Sequence, residues 1–107
     1  MLSTFEVLSL PARREILAQL RAGPSSVSEL SGALGLSQPI MSKHLRVLRD
    51  AGFVNVRPDA QRRWYELRAE PFQELADWLE PYRWMWEDRL DRLGKHLDDL
   101  RDEEERA

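Results

Sequence analysis

Residues 37–50 read Ser-Gln-Pro-Ile-Met-Ser-Lys-His-Leu-Arg-Val-Leu-Arg-Asp, and the fold turns on what this stretch is. Its apolar residues Ile40, Met41, Leu45, Val47 and Leu48 recur at helical spacings. Between them sit Gln38, Ser42, Lys43, His44, Arg46 and Arg49. Such a helix buries one side and offers hydrogen-bond donors and positive charge on the other, which suits the major groove of DNA. An ordinary surface helix would show much the same pattern, so the flanks decide between the two.

Upstream, Ser26-Val27-Ser28-Glu29 has the form of a capping box, in which a serine oxygen accepts from a free helix N–H and the glutamate reaches back. It predicts a short helix carrying Leu30, Ala33 and Leu34. Gly35 is the residue type that ends a helix in the left-handed conformation. Leu36 then plugs the turn, Ser37 caps the next helix and Pro39 falls in its first turn. Two helices about a short glycine-containing turn make a helix-turn-helix, with Leu30, Ala33, Gly35, Leu36, Ile40 and Leu45 expected at the packing positions. Residues 4–22 are also helical in pattern, through Phe5, Leu8, Ile16, Leu17 and Leu20. Pro11 does not suit a helix interior, so a short helix should end near Leu8, a longer one start at Pro11, and Gly23-Pro24 stop it. Arg13 and Arg14 fit either a solvated face or a phosphate contact.

Downstream, Ala51-Gly52 ends the central helix. Residues 53–57 and 62–67 read as two strands about a turn at Pro58-Asp59-Ala60-Gln61. Arg57, Arg62 and Arg63 flank the tip of this hairpin. Directly after a helix-turn-helix, a basic hairpin reads as a wing for backbone phosphate or minor groove. The charge could equally blunt an exposed edge. From 71 to 105, Phe72, Leu75, Leu79, Tyr82, Trp86, Leu90, Leu93, Leu97 and Leu100 form a seam near a heptad repeat, with a kink or restart expected at Pro81. Trp78, Trp84 and Met85 face elsewhere. Two apolar faces on one helix predict a second subunit on one of them, or a small apolar ligand among the tryptophans.

A chain of 107 residues is expected to be one domain, here a DNA-binding core over 1–70 and a C-terminal dimerisation helix over 71–107. The absence of cysteine excludes disulfides and thiolate metal sites. Without a long apolar run or a signal-peptide pattern, the chain is expected to be soluble and cytoplasmic, with no membrane partner. The net charge of −3 hides a division. Residues 37–68 hold seven Lys/Arg against three Asp/Glu, a net of +4, while residues 69–107 hold six against thirteen, a net of −7. A basic middle beside an acidic tail can steer a polyanion to one face despite the negative total. An enzyme is not expected, because no glycine-rich phosphate loop and no histidine paired with a nucleophile occur.

The run Leu-Ser-Gln-Pro-Ile-Met-Ser-Lys-His-Leu-Arg-Val-Leu-Arg-Asp-Ala-Gly-Phe-Val over 36–54, with the basic hairpin ending in Trp-Tyr-Glu-Leu, resembles the ArsR/SmtB family of winged helix-turn-helix transcription regulators. Pro11-Ala12-Arg13-Arg14-Glu15-Ile16-Leu17 is similar to the family's first-helix signature, from which Ser9-Leu10 and Ala12 depart. The tail over 77–93 is similar to a branch that senses no metal, often found beside small lipid-binding-fold proteins. The resemblance implies a mainly α fold with a small β-hairpin, and a homodimeric repressor on a partly palindromic operator in double-stranded DNA. Gln38, Ser42, Lys43 and His44 would then meet base edges, while Ser37, Arg46, Arg49, Arg57, Arg62 and Arg63 would hold phosphates. Phe5, Leu75, Trp78, Leu79, Tyr82, Met85, Trp86, Leu90, Leu93 and Leu97 would form the dimer interface. No cofactor is implied. Relatives that sense metal carry Cys-x-Cys where this chain has Ser26 and Ser28, and serine is a poor ligand for soft metals. On the last helix His96 and Asp99 have no matching Asp-x-His partner, so no metal ligand is expected there. A winged-helix module that binds protein is the rival reading, and a basic reading face argues against it.

Overall fold

The computed structural model describes residues 2–106, leaving aside the side chains of Leu90 and Arg106. The elements run α1 (Thr4–Leu8), α2 (Pro11–Leu20), β1 (Ser25–Ser26), α3 (Val27–Leu34), α4 (Gln38–Asp50), β2 (Val54–Asp59), β3 (Arg62–Leu67), α5 (Glu70–Leu79), a 3-10 turn (Glu80–Tyr82) and α6 (Arg83–Arg106). They divide into two compact units, 1–75 and 76–107.

Local chemistry places the first helices. Ser3 Oγ accepts from the Glu6 N–H, and the Glu6 carboxylate accepts from the Ser3 N–H, so the full reciprocal capping box stands at the start of α1. Pro11 opens α2 as expected. Arg13 donates to the Val7 carbonyl at 3.3 Å, and Arg14 donates to the Leu8 and Ser9 carbonyls at 2.6 and 3.3 Å. Both arginines therefore close the C-terminal end of α1, where carbonyls lack helical partners and the helix dipole favours a cation. Arg14 stays exposed while it does so, and Arg13 is half-buried.

Ser26 caps α3 by accepting from the Glu29 N–H at 3.2 Å. Gly35 ends the helix at φ 67°, in the left-handed region. Ser37 caps α4 by accepting from the Ile40 N–H at 3.4 Å. The core of this first unit takes Val7 from α1, Ile16, Leu17 and Leu20 from α2, Leu30 from α3 and Met41, Leu45 and Leu48 from α4. Phe53, Val54 and Tyr65 close it from the sheet side. Three expected packing positions are corrected. Ala33, Gly35 and Ile40 are exposed, and Met41, at 0 % exposure, takes the place assigned to Ile40.

The sheet also differs from a simple hairpin. It has three strands in the order β1-β3-β2, all antiparallel, because Ser25 and Ser26 pair with Tyr65 and Trp64. The hairpin turn is shorter than expected: Pro58 and Asp59 belong to β2, opposite Arg63 and Arg62, which leaves Ala60 and Gln61 as the loop. Proline is tolerated there because β2 is an edge strand, where a missing N–H need not break a ladder. Ala60 takes φ 56° in this tight turn.

Phe72 at the start of α5 meets Phe53 edge-on at 5.5 Å, and Thr4 donates to Glu74 at 3.2 Å, so α5 is anchored on the first unit. In the second unit the 3-10 turn around Pro81 provides the expected interruption. Arg83 pairs with Glu80 and Glu87 across the restart. Among the described residues no helix is long and apolar enough to cross a membrane.

Candidate nucleic-acid interface

Helix α4 is amphipathic by construction. Met41, Leu45 and Leu48 seat it on the core, and this fixes which side chains remain outside. Gln38, Ser42, Lys43, Arg46 and Arg49 are exposed, and His44 is half-buried. Ser42, Arg46 and Arg49 line one cleft of about 330 Å³ together with Leu45, Asp50, Arg63 and Tyr65. Helix and wing thus share a cleft lined by three arginines, one aspartate and the hydroxyl residues Ser42 and Tyr65, an excess of positive charge.

A second cleft, of about 500 Å³, lies between the start of α3 and the wing tip. Ser26, Val27, Ser28 and Glu29 form one wall, and Gln61, Arg62 and Arg63 the other. Arg63 lines both clefts, so the two are neighbours along one wing. Arg57 is set apart: its guanidinium stands 3.9 Å from Glu66, an exposed pair with part of its charge answered. Of the residues expected on phosphates, Arg46, Arg49 and Arg63 come together, Arg62 joins through the second cleft, and Arg57 sits with Glu66.

Gln38 donates its amide to Ser28 Oγ at 3.3 Å, which ties the first turn of α4 to the first turn of α3. This leaves the Gln38 carbonyl oxygen and a second N–H to offer a base. Ser28, read in the sequence as part of a cap, and Gln61, read as part of a turn, also line the site. Nothing local assigns them to the site, since each reaches it through a partner farther along the chain.

The His44 imidazole is held below its ordinary pKa, first by burial and then by repulsion from the Arg13 guanidinium. At neutral pH it therefore presents one N–H donor and one acceptor rather than a charge. The positions where metal-sensing relatives would carry thiolates do not suit a soft metal. The Ser26 hydroxyl caps α3 and the Ser28 hydroxyl accepts from Gln38, so both serve the scaffold. Among the described residues no group of three or more His, Cys, Asp or Glu is placed to hold a metal ion.

The residues expected in a dimer interface lie on α1, α5, the 3-10 turn and α6. Phe5 is 51 % exposed, Leu75 is half-buried, and Trp78, Leu79, Tyr82, Met85, Trp86, Leu93 and Leu97 are exposed. The Leu90 side chain lies outside the described residues. Trp78 and Tyr82 stack at 5.4 Å in a tilted pair. The cleft at Trp84 and Met85 is about 190 Å³, below the 300 Å³ or so at which ligand sites of drug size begin.

Comparison with known proteins agrees with this geometry. The family model described as "Bacterial regulatory protein, arsR family" matches residues 11–56. The chain is 48 % identical over 52 residues to the HTH-type transcriptional regulator NmtR of Mycobacterium tuberculosis, covering 49 % of this chain and 43 % of that protein. It is 36 % identical over 74 residues to the biofilm growth-associated repressor of Agrobacterium fabrum, covering 69 % and 63 %. The crystal structure of an ArsR family transcriptional regulator superposes with a TM-score of 0.68 at 32 % identity, covering 78 % of this chain and 87 % of that one. The chain is a winged helix-turn-helix protein and belongs to the ArsR family. It spans less than two thirds of the length of these two curated relatives.

Proposed function

We propose that the chain is a sequence-specific DNA-binding regulator of transcription that works as a homodimeric repressor in the cytoplasm, without enzymatic activity, cofactor or metal. The observation that carries this reading is the shared cleft in which Ser42, Arg46 and Arg49 of α4 stand with Arg63 of the wing. A phosphodiester backbone beside a helix seated in the major groove is the partner such a cleft suits. Base edges fall to Gln38, Ser42, Lys43 and His44, and phosphates to Ser37, Arg46, Arg49, Arg62 and Arg63, with Arg57 contributing less because Glu66 attends it. A dimer through α1, α5 and α6 would carry two reading helices about one turn of duplex apart, on a partly palindromic operator. Repression follows from occupancy, since a dimer across two half-sites excludes other proteins from the same grooves. The biofilm growth-associated repressor to which the chain is similar supports that sign of regulation.

Fluorescence anisotropy with a labelled random-sequence duplex at two salt concentrations tests the reading. Binding should weaken steeply as salt rises. Failure to bind at low ionic strength would remove the DNA assignment and leave a protein-binding winged helix as the alternative. Selection from a random DNA pool should recover half-sites with two-fold symmetry.

A further inference from the structure

On α4 every other large aliphatic side chain turns inward. Met41, Leu45 and Leu48 are at 0 % exposure, and Val47 is half-buried. Ile40 is 47 % exposed. It stands in the first turn of the helix, where its N–H is capped by Ser37. Lys43 and His44 lie three and four residues on and so flank it on the same strip of helix surface. An isolated exposed isoleucine is ordinary on a protein surface. This one is set among the donors of a helix whose partner is the edge of a base pair.

We infer that Ile40 is a specificity-determining residue that reads the 5-methyl group of thymine, an inference that rests on the DNA-binding reading above. In the major groove the edges of adenine, guanine and cytosine present hydrogen-bond donors and acceptors, while thymine adds an apolar methyl group. Set against a polar edge, Ile40 would strip water from a donor or acceptor and return no hydrogen bond. Set against the methyl, both partners leave water at no such cost. The β-branched side chain is confined to one main rotamer in a helix, so its contact patch is fixed in direction before binding. Ile40 therefore supplies discrimination between bases, while the arginines of the two clefts supply affinity that is blind to sequence.

The test uses the full chain and a duplex it has selected from a random pool. Each thymine is replaced in turn by deoxyuridine, which removes the 5-methyl group and nothing else. For the native protein, one position in each half-site should weaken binding about threefold to tenfold on loss of the methyl. Ile40→Ala should bind the thymine and uracil duplexes alike, and Ile40→Val should keep most of the discrimination. Because Ile40 lies outside the core, the variants should melt with the native protein. If the native protein binds its selected duplex in a salt-sensitive manner yet no uracil position separates it from Ile40→Ala, the thymine assignment is wrong and the DNA reading stands. If no duplex is selected at all, both fall.

Discussion

At the scale of single residues, charge and position separate the proposed roles of Arg62 and His44. Arg62 reaches the site through the wing tip, in the cleft against the start of α3. In the proposed DNA complex it would neutralise a phosphate and carry no information about sequence. Arg62→Ala is expected to weaken binding to all duplexes alike and to flatten the dependence of log K on log salt by roughly one unit. An unchanged salt slope would show that the wing tip does not meet the backbone. His44 behaves differently, because the fold holds it neutral through burial and the nearby Arg13. Its pKa is lower in the folded than in the unfolded chain, so the unfolded chain takes up the proton first. Stability is then undiminished above the ordinary value of 6.5 and declines as pH falls through it toward the folded value. Melting temperatures of the native protein and His44→Gln, compared at pH 7.5 and 5.5, should show the larger acid loss in the native protein. Equal losses would mean that His44 adds nothing to the pH response.

Among the elements, α4 depends on two short-range devices, a serine cap and a three-residue inner face. Leu45 is fully buried at the centre of that face, and Leu45→Ala is expected to cost about 2–5 kcal/mol through lost burial and the cavity left behind. Urea denaturation measures this directly, and a loss below about 1 kcal/mol would place the core elsewhere. The elements that were legible in the sequence are those whose signals are local. Gly35, Ser37 and Pro39 mark the turn and the start of α4 by backbone chemistry alone. The break after Leu8 and the restart at Pro81 follow from proline in the same way. What was not legible depends on partners far along the chain. Ile40 and Met41 are adjacent and both apolar, so spacing could not choose between them; the seating of α4 on the core selected Met41. Ser25 and Ser26 carry no strand signal and became a strand because β3 had an edge to pair. The same holds for the candidate site. Its helix was apparent from residues 37–50, whereas Ser28 and Gln61 entered it only through the approach of α3 and the wing.

For the molecule as a whole, the proposed dimer draws its support from the apolar residues that the second unit leaves exposed. Trp84, Met85, Leu93 and Leu97 stand between 49 and 66 % exposed, and apolar side chains gathered on one exposed helix mark an interaction surface. The double variant Leu93→Asp with Leu97→Asp should turn a dimer into a monomer by light scattering. It should also weaken operator binding by far more than it weakens binding to a duplex bearing one half-site. A native protein that scatters as a monomer at working concentration would remove the dimer from the mechanism. The acidic tail, a net of −7 over residues 69–107, also bears on behaviour at this scale. A like charge of that size opposes contact between the tail itself and a polyanion.

The small third strand has a consequence for timing. Ser26 caps α3 and is also paired with Trp64, one residue from Arg63 on the wing. The wing is therefore hinged to the reading head by a ladder of backbone bonds rather than hung from it by a slack loop. Lifting the wing from a phosphate while the helix stays in the groove would mean straining that hinge. Departure from DNA should accordingly be a single event with a single lifetime, with no half-released state in which the protein lingers by its helix alone.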